Sequence, residues 1–226
     1  MQKVKELCHK NGALFILDEM ITGFRWHLQG AQTYYGVEPD LCTFGKGMAN
    51  GFSVAALCGK REFMRIGGIK EIGAERVFLT STTHGAEMCG LGALVETIKF
   101  YKENKVVDHL WDYGRKLISE MNAIAKELQI SDYFAATGIE CSPNYITKDT
   151  NKEVSLAFRT LFSQEMIKNG VLIPWIAISY AHTDKELNRT LEAVRKSLQV
   201  YAKALNEGVD KYLVGATIKP VFRKYN

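Results

Sequence analysis

Apolar positions along this chain follow two rhythms. Near the amino end, Gly12-Ala13-Leu14-Phe15-Ile16-Leu17 is short, continuously apolar and free of polar alternation, the pattern of a strand buried on both faces of a parallel sheet. Asp40-Leu41-Cys42-Thr43-Phe44 is a second short strand candidate, opened by Pro39 and closed by Gly45, and residues 53–58 form a third. A short helix is predicted through Cys8 and a long one over residues 86–102. From about residue 106 the period lengthens: helices are predicted over 108–128, 153–168 and 184–205, enclosing strand candidates near 133–137, 142–147 and 171–180. Asn169-Gly170 supplies a helix stop, and Thr183 or Asp184 a helix start. Residues 208–226 have no clear period and are expected to lie against the body. The division is therefore an α/β part over 1–105 and a smaller α+β domain with a tail over 106–226.

Composition narrows the class without naming a function. With 226 residues, 46% apolar and 24% charged, the chain has the make-up of an ordinary globular protein. No run approaches a membrane span, and Met1-Gln2-Lys3-Val4-Lys5-Glu6 lacks a signal-peptide core, so a cytoplasmic location is expected. The net charge of +4 is dispersed: Lys185, Arg189, Arg195 and Lys196 interleave with Glu186 and Glu192, a solvated surface rather than a nucleic-acid patch. Five cysteines contain no Cys-x-x-Cys and have mostly apolar neighbours, which predicts reduced core thiols. The five histidines are far apart and give no metal spacing.

Two residues carry the candidate chemistry. Asp18, followed by Glu19, ends the first apolar run, and in open α/β sheets ligands bind outside the carboxyl ends of the strands. The plainer alternative is that Asp18 starts the following turn. Lys46 leaves the second strand inside "FGKGMANG". Flanking glycines allow a sharp bend and close backbone approach, and a partly desolvated lysine there gains nucleophilicity. The alternative is a solvated loop lysine. Two phosphate motifs fail on spacing: Gly45-Lys46 is followed by Gly47 rather than Ser or Thr, and Gly45, Gly47 and Gly51 are one residue too wide for Gly-x-Gly-x-x-Gly. A lysine amine and a carboxylate facing one pocket are the two groups that a pyridoxal phosphate ring needs most.

The run "LFILDEMITGFRWHLQGAQTYYGVEPDLCTFGKGMANGFSVAALCGKREFM", continued by "STTHGAEMCGLGAL" and more loosely by "AHTDKELNRTLEAV", resembles class III, fold-type I pyridoxal-phosphate aminotransferases, and within them glutamate-1-semialdehyde 2,1-aminomutase and its relatives. The resemblance implies a partial fold-type I large domain followed by a small α+β domain. It also implies that Lys46 forms the Schiff base with the cofactor aldehyde and then moves the substrate proton, and that Asp18 partners the pyridine nitrogen. Met20 takes the position that packs on a face of the ring, and Thr82 that of a threonine which binds the cofactor phosphate of the neighbouring subunit in family dimers. Ser81, Thr82, Thr83 and His84 precede a helix, so each is also a candidate cap. A small-molecule amino donor, a carbonyl acceptor and a homodimer are implied partners, and no metal is. A carboxylate about 4 Å from a pyridinium at an effective dielectric near 20 contributes on the order of 4 kcal/mol. That is roughly three pKa units, enough to keep the ring nitrogen protonated.

Two departures qualify the expectation. The family's glycine and serine or threonine phosphate loop, its ring-stacking aromatic and much of its substrate pocket lie in a segment ahead of this match, so the chain reads as the carboxyl-terminal portion of such an enzyme. Between Pro174 and Ala181-His182-Thr183 the chain has only "WIAISY", where aminomutases carry a longer pocket loop with a glutamine and a glutamate. Two functions are consistent with this: amino-group transfer, as an aminotransferase or aminomutase acting with the upstream segment, or a non-catalytic fragment that keeps the fold and a subunit-association surface.

Overall fold

Helix α1 (Gln2–Lys10) stops in a Schellman arrangement that the sequence encodes locally. Gly12 takes φ +68°, its N–H reaches His9 O, and Ala13 N–H reaches back to Cys8 O. The chain then enters β1 (Ile16–Asp18), crosses through the five-residue helix α2 (Ala31–Tyr35) and returns as β2 (Leu41–Phe44). A 3₁₀ turn at Lys46–Met48 leads to β3 (Ala56–Gly59) and the short helix α3 (Arg61–Met64). In this computed structural model residues 1–68, 70, 72–73, 87–220 and 222 are described.

β1 and β2 are parallel in the register Ile16↔Leu41, Leu17↔Cys42, Asp18↔Thr43, and β3 is antiparallel to β2. Helix α4 (Met88–Asn104) covers one face of this sheet. Phe24, Cys42, Phe44 and Met48 form the core there, with Leu94, Ile98 and Tyr101 packed against them. Phe24 stands edge-on to both Phe44 and Tyr101, at 6.2 and 5.9 Å, the favoured aromatic geometry.

The first strand departs from expectation. It is an edge of the three-stranded sheet among the described residues, and Ile16 is 55% exposed. Its continuous apolar run matches a strand covered on both faces, but the described residues cover only one.

Asp40, at the entry to β2, is the electrostatic anchor of this unit. It is 1% exposed and accepts hydrogen bonds from Lys60 Nζ (2.6 Å) and the Phe15 N–H (2.7 Å), and it contacts His9 Nε2 at 2.7 Å. Burial alone would raise its pKa, but the bonds from Lys60, Phe15 and His9 outweigh burial and hold the carboxyl well below the usual carboxylate range. A depressed folded-state pKa stabilises fully above the unfolded value of about 3.9, and that contribution is lost as pH falls toward the folded value. Asp40→Asn is therefore expected to flatten the fall in stability between about pH 4 and pH 2, read from urea midpoints at stepped pH. The variant is also expected to be less stable than the parent at neutral pH.

Residues Met1–Asp108 and His109–Asn226 form two compact units. The second contains α5 (Val106–Glu127) from His109 onward, the hairpin β4 (Phe134–Ile139) and β5 (Ser142–Thr147), α6 (Leu156–Lys168) and α7 (Asp184–Glu207). Ser155 caps α6, and Thr183 with Glu186 makes a full capping box on α7. Phe134, Tyr145, Leu161, Phe162, Val194, Leu198 and Tyr201 fill the core. The Tyr201 hydroxyl joins the Tyr133 carbonyl to the Lys148 backbone at 2.6–3.0 Å. The tail lies against α6, where Gln164 bonds Tyr212 O and Val214 N–H and Thr160 accepts from Ile218 N–H.

The strand expected at 171–180 does not form. Pro174 has no N–H to give a ladder. Side chains take the carbonyls instead: Tyr145 OH donates to Ile173 O at 3.0 Å, and Arg159 Nη2 to Pro174 O at 3.1 Å. The segment lines a cavity of about 320 Å³ with Tyr113, Leu117, His182 and Thr190.

Gly114 lets α5 meet the hairpin turn. A Cβ there would lie 1.7 Å from Glu140 O and 2.9 Å from Ile178 Cδ1. Because the nearest obstacle is backbone, Gly114→Ala is expected to destabilise the fold by about 2 kcal/mol or more, even after alanine's ~1 kcal/mol helix advantage. A lowered denaturation midpoint at unchanged m would show this.

Candidate functional site

Parallel pairing brings the carboxyl ends of β1 and β2 side by side, and both sequence-selected residues lie there. Asp18 is the last residue of β1, and Lys46 follows β2 by two positions. Asp18 Oδ1 accepts the Met20 N–H at 2.8 Å and lies 3.4 Å from the Thr43 hydroxyl. Asp18 thus does start the turn, as the plainer alternative held, but with one oxygen. Among the described residues, Oδ2 makes no hydrogen bond.

The neighbouring carboxylate does different work. Glu19 is fully buried and accepts from the Ala31 and Gln32 N–H groups, both at 2.8 Å, and from the Thr22 hydroxyl. It holds the amino end of α2 and fixes the path of the crossover. A Cβ at Gly30, where φ is +90°, would fall 2.4 Å from this carboxyl carbon. Strand alternation sends Glu19 inward and leaves Asp18 at the exposed rim.

Lys46 occupies a left-handed backbone conformation, φ +47°, which is uncommon for a residue with a Cβ. Sequence reasoning assigned the bend to the flanking glycines, yet the positive φ falls on the lysine itself. Gly45 serves close approach instead: a Cβ there would lie 2.4 Å from Met20 Cε. Met20 therefore rests on the backbone immediately before Lys46. Met48 and Ala49, 3% and 2% exposed, anchor the turn from below. Such over-determined strain recurs where a side chain must be aimed. The Lys46 side chain is exposed rather than partly desolvated. Thr82, with Ser81, Thr83 and His84, lies outside the described residues.

Sequence reasoning missed Thr43, which orients Asp18 across the strand pair, and the split between Asp18 and Glu19. Parallel register was the signal for the first, but register is not written in either strand alone. It also placed all five cysteines in the core, whereas Cys58 and Cys89 are exposed and Cys42 and Cys141 buried.

The sequence profile of the family described as Aminotransferase class-III matches residues 1–204, and the chain belongs to that family. Among curated relatives, it is 36% identical over 208 residues to a 3-aminobutyryl-CoA aminotransferase of Cloacimonas acidaminovorans, covering 91% of this chain and 48% of that protein. It is 32% identical over 211 residues to a glutamate-1-semialdehyde 2,1-aminomutase of Fusobacterium nucleatum, covering 88% and 48%. The chain spans about half the length of the curated relatives it matches. Among solved structures, a transaminase with PLP bound superposes with a TM-score of 0.78 at 20% identity, over 92% of this chain and 48% of that one. An omega-transaminase from Sphaerobacter thermophilus gives 0.77 at 22% identity, over 89% and 47%. These likenesses fix the fold as that of the transaminases.

Proposed function

We propose that this chain contributes the lysine and carboxylate of a pyridoxal-phosphate site for amino-group transfer, as an aminotransferase or a glutamate-1-semialdehyde aminomutase-like enzyme. One observation carries the reading: a primary amine and a carboxylate, one oxygen of which makes no hydrogen bond among the described residues, stand at the same end of two adjacent parallel strands. The donor set fits the cofactor, since an aldehyde needs an amine and a pyridinium needs an anionic acceptor. When bound, pyridoxal phosphate supplies the aldehyde and the electron-withdrawing ring.

The chain's own residues then have separate tasks. Lys46 Nζ would hold the cofactor and would be the amine that carries a proton to and from the substrate carbon. Asp18 would be the carboxylate that keeps the ring nitrogen protonated, while Thr43 and the Met20 N–H hold its Oδ1. Met20, seated on Gly45, would be the side chain that packs against the ring. Thr82 is the proposed phosphate contact across a homodimer. The amino donor and carbonyl acceptor are small molecules, the location is cytoplasmic, and residues 1–105 are the carboxyl-terminal part of the cofactor-binding domain, followed by the small domain over 106–226. Among the described residues no helix is long and apolar enough to cross a membrane, and no cluster of three or more possible metal ligands occurs.

Titration of the chain with pyridoxal phosphate tests the proposal. A visible absorbance band that shifts when an amino donor is added is the expected result. A soluble, folded chain that develops no band would favour the non-catalytic reading.

A further inference from the structure

We propose that Cys42 and Cys58 form a cross-strand dithiol that closes reversibly to a disulfide by exchange with a small-molecule disulfide. The β2–β3 ladder pairs these two residues directly. Opposed residues of an antiparallel pair have Cα atoms about 4.5–5.5 Å apart and side chains on the same face. That spacing falls inside the roughly 4.4–6.8 Å range that a disulfide spans. The ladder is held beside the pair by the Lys60 N–H to Asp40 O bond at 3.0 Å.

The two thiols are accessible in a graded way. Cys58 is exposed and Cys42 buried, and both line a cavity of about 630 Å³ together with Gln32, Thr33, Pro39 and Lys60. Gln32 Nε2 lies 3.9 Å from Cys42 Sγ and holds it toward this cavity. Burial first, and the neighbouring Cys58 second, push the Cys42 thiol pKa up. This makes Cys58 the thiol that reacts first and Cys42 the one that closes the bridge.

The exchange balances without any other reactant. Cys58 sulfur attacks one sulfur of the small disulfide, forming a mixed disulfide and releasing one small thiol. Cys42 sulfur then attacks the Cys58 sulfur, breaks the mixed bond and releases the second small thiol. The protein loses two electrons and two protons, and the small disulfide gains them. A reducing dithiol reverses both steps. The bridge would tie β2, the strand that leads to Lys46, covalently to β3.

The test uses the folded chain, oxidised glutathione, acid quenching and peptide mapping without reduction. Expected are a Cys42–Cys58 linked peptide, no glutathione retained on either of these two cysteines, whatever the separate exposed thiol of Cys89 takes up, and full recovery with dithiothreitol. Cys42→Ser is expected to leave glutathione stably on Cys58, and Cys58→Ser to leave Cys42 unreacted, each with an unchanged circular dichroism spectrum. Stable glutathione on Cys58 of the unsubstituted chain would overturn the proposal. So would a linkage to a different cysteine, or a Cys42–Cys58 linkage that forms only in urea.

Discussion

Replacing Lys46 with alanine is expected to remove covalent cofactor attachment and to lower amino-group transfer by about 10³-fold or more, since the proposed site gives one amine both the attachment and the proton-carrying role. Lys46→Arg is the sharper control. It keeps the positive charge and much of the length, so a merely electrostatic lysine would tolerate it, whereas a Schiff-base lysine would not. Single-turnover measurements with an amino donor read the chemical step directly. The fold should survive both substitutions, because the side chain is exposed and Met48 and Ala49 anchor the turn.

Asp18→Ala is expected to separate chemistry from binding. Loss of the carboxylate lowers the basicity of the ring nitrogen by up to roughly three pKa units, and proton transfer should fall by about two to three orders of magnitude. Cofactor affinity should change much less, because Lys46 still attaches it. The Met20 N–H and the Thr43 hydroxyl lose their acceptor, but both lie at an exposed rim where water replaces it. Cofactor affinity and turnover measured on one preparation test this, and equal losses in both would contradict the assigned role.

Elements with a chemical start and stop were legible from residues alone. Thr183 or Asp184 marked the start of α7, Asn169-Gly170 ended α6, and the strand candidate at 142–147 is β5, Ser142–Thr147. Helix α2 was invisible because five residues carry too little periodicity, and its start depends on Glu19, a residue distant in sequence. The expected strand at 171–180 failed because Tyr145 and Arg159 bond its carbonyls, and neither partner is local. At the site, Asp18 and Lys46 stood out because of what ends an apolar run and what sits between glycines. Their adjacency came from parallel pairing, and the strained backbone of Lys46 came from the anchoring of Met48. Tertiary context decided each of these points.

The chemistry and the fold meet in one claim, that Lys46 is the residue that holds the cofactor. Mixing the chain with pyridoxal phosphate, reducing with borohydride and mapping the labelled peptide by mass spectrometry tests it most directly. The account predicts a single reduced cofactor on Lys46, absent in Lys46→Ala and Lys46→Arg. A label on another lysine of the folded chain, or an undiminished label in the alanine variant, would contradict it.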